Sequence, residues 1–359
     1  MRRSSAGPSG RPLWSPDTTL DLLYYIGRYT SAADPTAAGI TLARRDPDGG
    51  LTPVGETASA NASFLARHPT LPRMYAVNEI ETGTVSTFAI AEDGGLSLLA
   101  VHSSAGADPC HLAVDPGGSR LTAANYSSGT VVDYRLDPDG IPVPPGEVVA
   151  LKGSGPHPRQ GHSRAHQVHH TAEGTVLVVD LGGDRVHRFR GLAEPVDPPW
   201  SARPGTGPRH LAGDGLGHWY ATGELDNVVV AYAEQPDGSW RETARHPASS
   251  AAAPNQPSHL ALSPDGRFLY AANRGPDSIT VFGLRGGVPE PIAEVPSGGS
   301  GPRHFVQTGE DLWVANEASH SVTLLRVDPR TGIPSEPSHA LSVTSPVCIL
   351  PVAAHLPSA

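Results

Sequence analysis

The stretch SHLALSPDGRFLYAANRGPDSITVFGL, residues 258–284, decides the fold. It reads as an apolar strand, a Ser-Pro-Asp-Gly reverse turn, a second apolar strand ending at Asn273, a polar loop and a third strand. Pro and Asp shape the corner of such a turn, and Gly takes the positive φ that closes it. CHLAVDPGGSRLTAANYSSGTVVDYRL at 110–136 follows the same grammar. Its second half recurs as YAVNEIETGTVSTFAI, LVVDLGGDRVHRF, YATGELDNVVVAYA and WVANEASHSVTLLRV. Aligned on Asn78, Asn125, Asp180, Gly223, Asn273 and Asn316, the copies lie 43 to 55 residues apart. That length suits one four-stranded propeller blade.

LLYYIGRYTS at 22–31 is a seventh copy with Gly27 in the same column, but no strand precedes it. The last apolar stretch, SPVCILPV at 345–352, is a strand without a blade. Pairing the two supplies the missing innermost strand and removes the open edges of the ring. The expected architecture is an all-β, seven-bladed β-propeller closed by its C-terminal strand on the N-terminal blade. It forms one domain over 20–353, with a disordered leader at 1–19 and a tail at 354–359.

Composition agrees. Gly 40 and Pro 37 in 359 residues mean many turns. A net charge of −10 offers no basic field for nucleic acid or an anionic membrane. Two cysteines, Cys110 and Cys348, make no disulfide framework and read as small core residues. Arg2 and Arg3 have no apolar run behind them, so no export signal is read, and no stretch reaches membrane-spanning length. The expected protein is a cytoplasmic monomer.

Strand alternation places the chemistry. Residues opening each first strand and ending each second strand share one mouth of the central channel. The opening column reads Phe64, His111, His166, His210, His259, His304 and Cys348; the closing column reads Arg28, Glu79, Tyr126, Leu181, Glu224, Arg274 and Glu317. Packing alone has no use for five histidines and five charged residues around one opening. Repetition favours hydrogen bonding to the next blade for His111, His259 and His304. His166, His169 and His170 alternate along a strand, so no metal and no cofactor are expected. GPRH occurs twice, placing Arg209 and Arg303 beside His210 and His304, with Arg274 nearby. Three guanidinium groups in repeat columns of an acidic protein point to an anionic ligand, with Glu79, Glu224 and Glu317 as counter-charges.

These residues resemble the propeller lactonase family, which includes bacterial 6-phosphogluconolactonase and carboxy-muconate lactonizing enzyme. The resemblance runs from about Leu22 to Val352. It rests on YIGRYTS, SFLARHP, YAVNE, DPCHLAVDP, AANYSSGTV, DLGGDRV, GPRHLA, SPDGRFLYAANRGPDSI, GPRHF and WVANE. It implies a catalytic group of His166, Arg209, Glu224 and Arg274. Around it, His111, Tyr126, His210, His259, Arg303, His304, Glu79 and Glu317 would bind substrate. Two departures touch the mouth: Arg164 stands first in the family's His-x-His pair, and Gln256 to His259 replace small or acidic residues.

Lactone opening needs activated water, an oxyanion stabiliser and a proton for the leaving alkoxide. His166 suits the base, and one of Arg209 and Arg274 the oxyanion, while the other grips the substrate's anionic group. Glu224 would orient them or carry the proton. No Gly-x-Ser-x-Gly nucleophile is evident. The substrate expected is a small anionic lactone or carboxylic acid. Three functions fit: hydrolysis of a sugar lactone, cycloisomerisation of an unsaturated carboxylic acid, and ligand binding without catalysis.

Overall fold

A computed structural model describes residues 22–30, 38–192, 194–196 and 198–352. The leader expected at 1–19 and the tail at 354–359 lie outside the described residues. Among those described, the chain folds into seven four-stranded antiparallel sheets arranged as the blades of a propeller. Blade 1 contains β1 (Leu23–Arg28), β2 (Ala38–Arg45) and β3 (Leu51–Ala58). Blades 2 to 7 begin on the inner strands β4 (Ala62–Arg67), β8 (Pro109–Val114), β12 (Ala165–His170), β16 (Pro208–Gly213), β20 (Gln256–Leu262) and β24 (Pro302–Thr308). The last strand, β28 (Pro346–Pro351), pairs antiparallel with β1, setting Ile349 opposite Ile26 and Cys348 opposite Gly27. The expected closure is therefore present.

Each blade is too thin to have a core of its own, so the apolar surface is buried between blades. Leu65, Met74 and Phe88 of blade 2 pack on Leu23, Tyr25 and Ile40 of blade 1. Trp313 of blade 7 meets Tyr24 with ring centroids 5.3 Å apart. In several blades a buried second-strand tyrosine then ties the blade to a turn of the next. Tyr25, Tyr75 and Tyr270 donate to the carbonyls of Gly94, Gly140 and Gly332 at 2.6, 2.6 and 2.8 Å. A buried phenol needs such an acceptor, and the ring supplies its apolar area.

The turns behave as their sequences imply. Gly118 and Gly266 both take φ of +68°, and their N–H groups close the turns onto Asp115 and Ser263. The repeat column also has a physical reason. Asn78, Asn125, Asn273 and Asn316 are buried. The Asn78 amide donates to Ser59 and Ala60, and Asn125 to the Ser104 carbonyl, holding the link between one blade and the next. Asp180 does the same in blade 4, accepting from the Arg164 and Gly183 N–H groups.

Every innermost strand carries a register shift near its start. The skipped residue is Ser63, Cys110, His166, Arg303 or Val347 in five blades, and Arg209–His210 and Ser258–His259 span it in the other two. A bulge puts two residues opposite one and re-aims a side chain. Two columns thus open each inner strand where the repeat pattern suggested one. This corrects the placement of His166. Gln167, not His166, lies opposite Val179 and occupies the column of His111 and His304, while His166 joins Arg209 and Arg303. One residue of slip exchanges the faces of a strand.

Closure predicts a stability effect. Val347, Cys348 and Ile349 are buried almost completely, and each apolar side chain of this kind contributes about 1.5–3 kcal/mol. Deleting residues from Ser345 onward should lower the melting temperature by roughly 10 °C or more, measured by calorimetry. An unchanged melting temperature would show that the ring does not depend on this strand.

Candidate active site

The deeper of the two columns forms a floor. Phe64 stacks on His111 at 4.0 Å, and His111 meets His210 at 5.7 Å. His210 meets His259 at 5.1 Å, His259 stacks on His304 at 4.2 Å, and His304 meets Phe64 at 5.7 Å. The rings make a closed circle that plugs the channel. One nitrogen of each is used internally: His111 Nδ1 accepts from Val168 N–H at 3.5 Å and His304 Nδ1 from Ile349 N–H at 3.3 Å. His210 and His259 share one proton between their Nδ1 atoms, 2.9 Å apart. Gln167 replaces an imidazole in blade 4, accepting from Leu211 N–H at 2.5 Å and donating back to its carbonyl. Burial, reinforced by neighbouring imidazoles and Arg209, holds His111, His210 and His259 well below the usual histidine range. His304 is pushed down to about 3 by burial and then Arg209. All four are neutral, so the floor is polar but uncharged.

Above it stands a layer of charge. Glu224, only 3% exposed in its side chain, faces three arginines. Its Oε1 lies 2.6 Å from Arg159 Nη1, and its Oε2 lies 2.9 Å from Arg209 Nε and 2.8 Å from Arg274 Nη2. Burial alone would raise its pKa, but Arg274, Arg209 and Arg159 together lower it to about 2. Arg209 is pushed down to about 9, by burial first and by Arg274 second, with Glu224 opposing both. Its Nε–Oε2 approach is close but not aligned as a hydrogen bond, and its buried Nη1 has no hydrogen-bond partner. Arg274 is more fully engaged, with Nε donating to the Gln256 carbonyl at 3.0 Å.

The other side of the mouth is built on Arg303. It donates through Nη2 to Tyr29 Oη at 2.6 Å and lies 3.2 Å from Glu317, while Tyr29 donates to Glu79 at 2.9 Å. Burial works against its charge, but Tyr29, Glu79 and Glu317 more than offset this and raise its pKa. Arg303 and His304 therefore line the mouth.

His166 projects between the two groups, its ring 5.5 Å from His210 and 5.6 Å from Tyr126. Its buried Nδ1 has no hydrogen-bond partner. Burial, then Arg209 and Arg303, depress its pKa well below the usual value, so the imidazole is neutral.

The structure thus brings His166, Arg209, Glu224 and Arg274 to one mouth, with Tyr126, Glu79, Arg303 and Glu317 around them and the other four histidines in the floor. Arg28 does not join them; it turns outward to Glu56 at 2.6 Å. Cys110 is buried, as expected, and also borders the mouth, its thiol donating to the His166 carbonyl at 3.4 Å. The repeat columns single out neither Tyr29 nor Arg159. Arg159 is the central residue of a 3-10 turn at Pro158–Gln160, inside the longest interval between repeats, Asn125 to Asp180. That excess length was its signal.

The family model described as "Lactonase, 7-bladed beta-propeller" matches residues 23–351. The chain belongs to this family. It is similar to a 6-phosphogluconolactonase of Bacillus subtilis, 31% identical over 341 residues that cover 90% of this chain and 97% of the relative. Among solved structures, a putative 6-phosphogluconolactonase from Bacteroides fragilis superposes with a TM-score of 0.82 at 30% identity, covering 93% of this chain and 99% of that one. A periplasmic gluconolactonase from Pseudomonas aeruginosa superposes at 0.85 with 28% identity, covering 93% and 100%. Among the described residues, no helix is long and apolar enough to cross a membrane.

Glu224→Gln tests the charge layer. It leaves three arginines around a neutral amide, and breaking a buried pair costs about 3–5 kcal/mol, read as a shift of the urea midpoint. A carboxyl whose folded pKa is depressed stabilises above its ordinary value and loses that contribution as pH falls through its folded value. Glu224 should therefore contribute above about 4.5 and cease to do so near about 2. Asp180 and Glu294, whose carboxyls are also held low, keep an acid-side slope in both proteins, so the variant's slope should be shallower than that of wild type.

Proposed function

We propose that this propeller is a hydrolase that opens a sugar lactone of the 6-phosphogluconolactone type at the plugged channel mouth. The observation that carries this reading is the pairing of two unsatisfied groups: Arg209 Nη1 and His166 Nδ1, both buried, neither hydrogen-bonded. Burying such groups without partners costs about 1–3 kcal/mol each. A ligand bringing a developing negative oxygen and a proton donor satisfies both. Family membership and the names of the relatives supply the reaction class.

The steps follow from the residues. Water attacks the lactone carbonyl carbon while His166 takes its proton, and the carbonyl oxygen becomes an oxyanion beside Arg209. A preorganised donor in a buried site stabilises such charge without reorganisation. The intermediate collapses by breaking the bond to the ring oxygen, and His166 returns the proton to that oxygen, leaving a hydroxy acid. Burial first, then Arg209 and Arg303, depress the imidazole's basicity in the free protein. Substrate anion pairs their charge, so basicity rises as the oxyanion forms. Glu224 holds Arg209 and Arg274 in place. No covalent intermediate is needed, since the Cys110 thiol is driven out of its reactive range, by burial first and then by Glu79.

His166→Ala should lower kcat by about 10²–10⁴-fold with little change in KM. Arg209→Ala should lower kcat by about 10²–10³-fold. Because the free imidazole's pKa is depressed, kcat/KM should not fall on the acid side until well below pH 6.5. The measurement is pH-stat hydrolysis of 6-phosphogluconolactone, corrected for its spontaneous rate. Wild-type turnover no faster than the spontaneous reaction would sink the reading.

The expected lack of a metal gives a separate check. EDTA treatment should leave the rate unchanged. A loss restored by a divalent cation would make the histidines ligands.

A further inference from the structure

We propose that Arg164, held against Tyr126, is the subsite that receives the distal anionic group of the substrate and so selects a phosphorylated over an unphosphorylated lactone. This rests on the lactone-hydrolase reading and adds the residue that discriminates within it. The relatives' names divide on this point, one acting on a phosphogluconolactone and another on a gluconolactone.

The Arg164 backbone is fixed at both ends: its N–H donates to Asp180 at 2.7 Å and its carbonyl accepts from Leu181 N–H at 3.0 Å. Its Nε donates to the Arg159 carbonyl at 2.8 Å, and its guanidinium lies over the Tyr126 ring, 4.9 Å from the centroid. The two terminal nitrogens have no ion-pair or hydrogen-bond partner among the described residues, unlike those of Arg159, which are spent on Glu224 and Tyr126 Oη. A guanidinium with a fixed base and a free planar edge is preorganised for bidentate binding of an oxyanion. No acidic residue lies between Glu147 and Glu173, a stretch that carries Lys152, Arg159 and Arg164. In a chain of net charge −10, this segment is a local cationic field.

Position supplies the rest. Tyr126 touches both Arg164 and His166, so the free guanidinium and the hydrolytic imidazole are one aromatic ring apart. A small substrate with its carbonyl at Arg209 and His166 can reach Arg164 with its far end. Arg274 is less suited to that role, because Glu224 and the Gln256 carbonyl already engage it.

The test measures kcat/KM for 6-phosphogluconolactone and for gluconolactone in wild type, Arg164→Ala and Arg164→Lys, with melting temperatures as a folding control. Losing one charge-assisted contact should reduce the phosphorylated-to-unphosphorylated ratio by about 10- to 100-fold in Arg164→Ala, mainly through KM. Arg164→Lys should recover part of it. Calorimetric titration with 6-phosphogluconate and gluconate should show the same loss for the phosphorylated acid. If both lactones fall equally, or the ratio holds, Arg164 is not the subsite while the hydrolase reading stands. If wild type opens neither lactone, the hydrolase reading fails and the proposal falls with it.

Discussion

The mouth of this propeller depends on a backbone constraint: each innermost strand shifts register at the same place. Without that shift, a strand would present one residue per blade to the channel at this level. With it, each blade presents two, at different depths. The deeper set becomes the ring of Phe64 and neutral histidines, and the shallower set delivers His166, Arg209 and Arg303. The floor, and the His166, Arg209 and Arg303 that stand over it, are thus products of one irregularity repeated seven times.

The two layers need one another. Buried imidazoles packed ring against ring, each with its Nδ1 held by a neighbour, stay neutral, so they tolerate a buried guanidinium overhead where a charged floor would not. Glu224 then binds Arg159, Arg209 and Arg274 from one carboxylate. A single anion cannot align with every donor of three guanidinium groups, and Arg209 is left with an unpartnered N–H. Frustration of this kind is expected where binding has been favoured over stability. The acidic protein as a whole has a cationic opening because the acidic residues nearest the mouth are already paired.

The fold was legible because it is a repeat. Alternation, Pro-Asp-Gly turns and the Asn column recur often enough that no single weak signal had to decide, and the surplus strand at the C-terminus could be matched to the missing one at the N-terminus. The site was legible in composition but not in register. His166 looks like His111 and His304 by residue type, yet the strand start shows where it belongs. Pro109, Pro208, Pro257, Pro302 and Pro346 stand immediately before the residue at the bulge, and Ala62 and Ala165 take that place elsewhere. Read by that offset, Gln167 is the partner of the floor histidines. Proline is compatible with a strand start because no ladder donor is needed there.

What the sequence determined by itself is periodic: seven blades, the strand that closes them and the columns facing one opening. These follow from local patterns, since turn chemistry and side-chain alternation are set by neighbours in the chain. What only the tertiary structure decided is non-periodic. Arg159 enters from an over-long connection to reach Glu224, Tyr29 bonds Arg303 from the opposite end of the chain, and Arg28 turns away despite its place in the column. Each outcome depends on a partner brought close by ring closure, and no local pattern encodes distances across the ring.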